Sequence, residues 1–164
     1  MSEDPGVTSP PAPPTRNSLI TLREVTQATV RTICALSVSP EQQRFVSPNS
    51  VSIAEAHFTP TAWFRAVYAD EVPVGFVMLD ERPEWDYVYI WRLLIDQRYQ
   101  KLGFGRRVMQ MVEERVTGRA GVTRLELSCV QEPGGPQPFY ESLGYRFEGQ
   151  YESDGEAILI KPIG

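Results

Sequence analysis

The chain has 164 residues, 41% of them hydrophobic and 23% charged, with a formal net charge of -5. That length suffices for one domain with a single sizeable core, and the acidic balance gives no reason to expect a nucleic-acid or anionic-membrane partner. No run of about 18 apolar residues occurs, so no membrane span is expected, and Cys34 and Cys129, far apart and without metal-ligand spacing, read as free thiols with no metal site.

The first stretch, MSEDPGVTSPPAPPTRN, carries five prolines in 14 positions. It predicts an extended, poorly ordered tail over 1–17, with the folded domain running from 18 to 164. It lacks the basic start and apolar middle of a signal peptide, which points to a cytoplasmic protein. SLITLREVT (18–26) alternates apolar and polar residues as a first or edge strand does. TQATVRTICALSV (26–38) reads as a helix, with Thr26 as its N-cap and Ala28, Ile33, Ala35 and Leu36 on one stripe. Ser-Pro pairs at 39–40 and 47–48 start turns, and a second helix is expected over 49–58.

TAWFRAVYAD and VPVGFVMLDER then form a hairpin with its tip at Asp70-Glu71. YVYIWRLLID (87–96) is rich in β-branched and aromatic residues, as a central strand is. After a glycine turn, RRVMQMVEERV (106–116) places Val108, Met111, Val112, Arg115 and Val116 on one helical face. TRLELSCV is a further strand, PFYESLGY a short helix ended by Gly144, and GEAILIKP the closing strand. The order predicts a mixed α/β (α+β) layer fold around one sheet.

The turn QRYQKLGFGRR joins the central strand to a helix. The first amides of a helix have no intrahelical partner and carry about half a positive charge in sum. Amides from Leu102 to Arg106, with Arg106 and Arg107 beside them, therefore make a cradle suited to a diphosphate. A G-x-G alone is weak evidence, and the turn is neither a P-loop nor a Rossmann fingerprint.

Two motifs together say more. LLIDQRYQKLGFG resembles the coenzyme A pyrophosphate loop of the GNAT N-acetyltransferase superfamily, [RQ]-x-x-G-x-[GA], with Gln100, Gly103 and Gly105 at its positions. FYESLGY, Phe139 to Tyr145, matches that superfamily's F-Y-x-x-x-G-[FY], and the surrounding strands resemble bacterial diamine (spermine/spermidine) N-acetyltransferases. The resemblance implies a mostly antiparallel mixed sheet flanked by helices, with acetyl-CoA lying between strands 87–96 and 123–130. It implies that Leu93, Leu94 and Ile95 pair with the pantetheine arm. Gln100, Lys101, Leu102, Gly103, Phe104, Gly105 and Arg106 then hold the pyrophosphate. It further implies that Tyr140 assists the departing thiolate, and by analogy alone it suggests a homodimer.

The implied reaction is direct transfer of the acetyl group, in a ternary complex, to a primary amine of a small molecule, a polyamine first. Another amine (a protein N-terminus, an amino acid, an aminoglycoside) or a non-catalytic acyl-CoA-binding module is the alternative. Making an amine of pKa about 10 nucleophilic at neutral pH costs about 4 kcal/mol. The residues leave the proton acceptor open among Glu41, Glu55, Glu84 and Asp86, with a water relay assisted by Glu84 or Asp86 expected. For the acceptor, the charges of Glu41 and Glu55 and the faces of Trp85, Tyr89 and Trp91 stand out, with Trp63, Phe64 and Tyr87 as further faces and Asp80 and Glu81 as further charges. His57, the lone histidine, reads as a partly exposed helix residue, and an acyl-Cys129 route lacks a paired base.

Overall fold

In the computed structural model, Gly6 and residues 8–164 are described, and the part of the predicted tail at 1–5 and 7 lies outside them. Seven strands make one sheet in the order β1-β2-β3-β4-β5-β7-β6. They are β1 Ile20–Arg23, β2 Ala62–Ala69, β3 Val72–Asp80, β4 Tyr87–Ile95, β5 Arg124–Cys129, β6 Arg146–Tyr151 and β7 Ala157–Pro162. Every neighbouring pair is antiparallel except β4 and β5, which run parallel. The helices are α1 Val30–Ala35, α2 Asn49–His57, α3 Phe104–Val116 and α4 Gln137–Ser142. The mixed, mostly antiparallel sheet is the predicted architecture.

Three local expectations change. Strand β6 was not anticipated, because RFEGQY is exposed at nearly every position and shows no apolar alternation. Helix α1 begins at Val30 rather than beside Thr26. The Thr26 carbonyl accepts from the amides of Thr29 and Val30, at 3.1 and 2.8 Å, so Thr26 shapes the turn before the helix. On α3 the buried side chains are Phe104, Val108, Met109, Val112 and Val116, whereas Arg115 leaves the apolar face. Its guanidinium lies over Trp63 at 4.0 Å and bonds Glu81 at 2.9 Å.

Each face of the sheet carries its own core. On one, α3 packs against Val77, Leu79, Val88, Ile90, Leu125 and Leu127. On the other, Ile33, Leu36 and Val38 close over Phe76, Met78 and Leu94. Each fully buried aliphatic side chain contributes about 1.5–3 kcal/mol. A bulge in β4 shapes the sheet between them: Leu79 pairs with Ile90 and Met78 with Arg92, leaving Trp91 without an opposite residue. Further along, where Gly75 pairs with Ile95, glycine allows β3 and β4 to approach, since a Cβ would sit 2.4 Å from the Leu94 carbonyl oxygen.

The chain is fastened a little before the predicted boundary at Ser18. Arg107 donates to the carbonyls of Arg16 and Ser18, at 3.2 and 2.6 Å, and Arg16 donates to the Lys101 carbonyl at 2.9 Å. Behind α4, Tyr145 is 1% exposed and its buried hydroxyl has no hydrogen-bond partner among the described residues. Burial drives that hydroxyl above the ordinary tyrosine range. Removing an orphaned polar group relieves its desolvation cost. Tyr145→Phe is therefore expected to raise stability by about 1 kcal/mol in urea denaturation, and a loss would show that the hydroxyl is satisfied.

Candidate functional site

The glycine turn grows out of the β4 end. Gln100 faces inward: its side-chain amide donates to the Ile95 carbonyl at 2.9 Å and to the Gln42 side chain at 3.0 Å. It thus ties the loop to the strand end and to the 3-10 turn Pro40–Gln42. Asp96 braces the same corner, accepting from the amides of Ser37 and Arg98 at 3.0 Å each. Burial pushes its carboxyl up, but these bonds and the Arg98 guanidinium outweigh it and hold it below the usual carboxylate range.

The backbone then needs two left-handed steps, at Lys101 (φ 63°) and Gly103 (φ 81°). Glycine takes this conformation without the Cβ penalty. The turn leaves the amides of Leu102, Gly103, Phe104, Gly105 and Arg106 without an acceptor among the described residues, and the first helical bond runs from Arg107 to Gly103 at 3.2 Å. Five consecutive free donors at a helix start form an anion-binding concavity. Arg106 stands beside it, bonded to Ser142 at 3.0 Å, while the Arg107 side chain is committed to the N-terminal segment. Phe104 contributes only backbone, because its side chain is in the core.

Next to this concavity the sheet opens. Strands β4 and β5 pair only at Tyr87–Arg124, Val88–Leu125 and Tyr89–Glu126. Beyond Tyr89 the two diverge, so the backbone of Leu93 to Ile95 is not paired with β5. Leu93 and Ile95 pack on the α3 side, and Leu94 is buried on the other. The two sequence motifs also touch: a Cβ on Gly105 would lie 3.2 Å from the Phe139 ring.

Tyr140 lies within electrostatic reach of Tyr89 on β4 and Cys129 on β5. Its ring packs edge-on against Phe139 (5.1 Å) and Tyr145 (6.0 Å). Burial, with smaller contributions from Cys129 and Tyr89, holds its hydroxyl above the ordinary tyrosine range. Burial likewise pushes the Cys129 thiol up to about 11, leaving it protonated at neutral pH and a poor nucleophile.

The other predicted site residues scatter. Asp86 pairs with Arg124 at 2.7 Å, and Glu84 is exposed on the turn before β4. Both line a depression of about 540 Å³ with Glu81, Trp85, Arg119 and Val122. The depression lies at the paired end of β4 and reaches Val88; Asp86, the nearer carboxylate, stands three residues, about 10 Å of strand, before Tyr89. Neither carboxylate is in direct reach of the opening, and Asp86 is already ion-paired. Glu41 is exposed on its 3-10 turn, Glu55 pairs with Arg92 at 3.3 Å, and His57 is exposed.

Arginine already covers most of the aromatic faces offered for a cationic substrate. Guanidinium groups lie 4.0–5.6 Å from the rings of Trp63, Trp85, Tyr87 and Trp91. Phe64 packs on Phe76. Tyr89 differs. Its hydroxyl meets the Ser128 hydroxyl at 2.6 Å, and Ser128 donates to a Glu156 carboxylate oxygen at 2.6 Å. Neither Ser128 nor Glu156 stood out in the sequence, for they come from β5 and the residue just before β7 and have no local signature.

Against known families, the model described as "Acetyltransferase (GNAT) family" matches residues 32–145, a span that holds both motifs. The chain belongs to the GNAT acetyltransferase family. Among its relatives, this GNAT chain is 25% identical over 154 residues to the spermine/spermidine N(1)-acetyltransferase of Bacillus subtilis, covering 88% of this chain and 99% of that one. Its fold matches the spermidine N-acetyltransferase from Vibrio cholerae, solved with CoA and spermine, with a TM-score of 0.69 at 15% identity. That match covers 87% of this chain and 95% of the other. The PaiA N-acetyltransferase from Thermoplasma acidophilum, solved with coenzyme A, matches with a TM-score of 0.66 at 15% identity, covering 88% of this chain and 99% of that one. The GNAT chain is thus an N-acetyltransferase. Among its described residues no helix is long and apolar enough to cross a membrane, and no cluster of three or more His, Cys, Asp or Glu is placed to hold a metal.

Proposed function

We propose that this N-acetyltransferase moves the acetyl group of acetyl-CoA directly to a primary amine, with a polyamine such as spermidine or spermine as the first acceptor. The observation that carries the reading is the row of five unpartnered amides, Leu102 to Arg106, opening beside the gap between β4 and β5. The donors fit a diphosphate, and the unpaired strand edges fit a pantetheine arm, whose amides take the place of a strand. Acetyl-CoA supplies the activated acyl group and a thiolate leaving group.

The chain's own residues aim and protect that chemistry. Amides 102–106 fix one end, the β4 edge at Leu93 to Ile95 orients the other, and Tyr140 stands by the opening with a hydroxyl that stays protonated. Transfer in a ternary complex is favoured over an acyl-cysteine because the Cys129 thiol is held neutral. The polyamine is supported by the Bacillus subtilis relative and the Vibrio cholerae fold neighbour. The carboxylates of Glu152 and Glu156, which bear on Tyr89, add charge of the right sign.

The test pairs calorimetry of acetyl-CoA binding with a thiol-release assay over spermidine, spermine, putrescine, amino acids and aminoglycosides. Saturable binding with fastest release on a polyamine is expected. Release on another amine alone replaces the acceptor, and binding without release on any amine leaves an acyl-CoA-binding module.

A further inference from the structure

We infer that Tyr89, Ser128 and Glu156 form a proton relay that carries the amine's first proton from the β4–β5 opening to solvent. The inference rests on amine acetylation but not on which amine is used. Alternation places all the needed groups. Val88, Ile90, Leu125, Leu127 and Cys129 point into the α3-side core, so Tyr89 and Ser128 project from the opposite face. Tyr140 packs on the α3 side. A group between the strands thus has Tyr140 toward one face and the Tyr89 hydroxyl toward the other.

The direction of the hydrogen bonds is fixed by chemistry. A carboxylate only accepts, so the Ser128 proton points at Glu156. With that proton committed, Tyr89 must donate to Ser128, which leaves the Tyr89 oxygen with free lone pairs to accept an N–H from the opening. Both links are 2.6 Å, the length of charge-assisted O–H···O bonds.

Glu156 is also set apart by what it lacks. Glu55, Glu81, Asp86, Glu113 and Glu126 each pair with an Arg or Lys. Glu156 has no cationic partner among the described residues, and it is half-buried, within reach of water. A carboxylate held only by a hydroxyl and a backbone turn can take a proton without breaking an ion pair.

The protons balance. The ammonium loses its first proton to Tyr89 as Tyr89 passes its own to Ser128 and Ser128 passes its own to Glu156, leaving both hydroxyls neutral. The N–C bond then forms and the C–S bond breaks. The nitrogen's second proton balances the sulfur, which leaves as thiolate and ends as thiol. Glu156 returns its proton to water, so one proton is released per turnover. The charged and titratable groups facing the relay are Glu126, opposite Tyr89 on β5 and paired with Arg124, and Glu152 and Arg92 beside Tyr89, with Cys129 and Tyr140 across the opening.

The test compares Tyr89→Phe, Ser128→Ala, Ser128→Thr and Glu156→Gln on whichever amine turns over, with acetyl-CoA affinity measured separately by calorimetry. Breaking any link is expected to lower kcat about 10²-fold without changing acetyl-CoA affinity. Ser128→Thr, which keeps the hydroxyl, should restore most of it. Tyr89→Phe combined with Glu156→Gln should be no worse than either alone. Apart from activity, ultraviolet titration should show the Tyr89 phenol ionising at lower pH in Glu156→Gln, since a neighbouring negative charge is gone. Additive losses, a Tyr89 titration unchanged in Glu156→Gln, or full activity in Tyr89→Phe would each overturn the relay. Failure of acetyl-CoA to bind would instead sink the functional reading itself.

Discussion

Tyr140→Phe is expected to cut turnover about 10²-fold while leaving acetyl-CoA affinity within error of the native protein. The ring's contacts with Phe139 and Tyr145 survive the substitution, so the fold should not change. Only the hydroxyl is lost. Its raised pKa decides what it does: a phenol pushed above about 10 is a weaker acid than an ordinary thiol near 8.5. Tyr140 therefore steadies the departing thiolate by hydrogen bonding, and the sulfur's proton is completed from elsewhere. The sign for pH follows. A group whose folded pKa is raised keeps its proton to higher pH, so donation persists through neutrality and is lost only above the ordinary tyrosine range. Steady-state kinetics with calorimetry check the split, and unchanged kcat would remove Tyr140 from the reaction.

The second large effect is on the sheet. Gly75→Ala is expected to destabilise the protein by about 3 kcal/mol, at the upper end of overpacking costs. The new Cβ would stand 2.4 Å from the Leu94 carbonyl oxygen and 2.8 Å from the Ile95 side chain. A backbone carbonyl cannot rotate aside as a side chain does, so β4 must shift away from β3. The shift falls on Leu94 and Ile95, whose free edge faces the opening, so acetyl-CoA affinity should fall with stability. Urea denaturation beside calorimetry checks both, and native stability would mean that the strands part at little cost.

Sequence reading found what is written contiguously. The turn from Gln100 to Gly105 and the segment from Phe139 to Tyr145 carry their geometry in local residues, with glycine at the left-handed positions 103 and 144 and aromatics where the chain packs. The hairpin at Asp70-Glu71 and the central strand were legible for the same reason. What was not legible is assembled from afar. Tyr89 lies 39 residues from Ser128, which lies 28 from Glu156, and only the strand order β4-β5-β7 brings them together. Composition also misled. The tryptophans looked available to a cationic substrate, but nothing in sequence shows that Arg65, Arg82, Arg92 and Arg115 already lie over them. Likewise Asp86 and Glu84 neighbour β4 in sequence, at the end of the strand away from the opening.

The parting of β4 from β5 after Tyr89 has a consequence for the protein's lifetime. The molecule is a sheet with an unzipped seam, and a guest that laces the seam binds only the folded form. At a guest concentration one hundred times its dissociation constant, mass action adds about 2.7 kcal/mol to the folding free energy. A starved, guest-free population should then be digested by proteases sooner than a replete one, tying the survival of the catalyst to the supply of what it consumes.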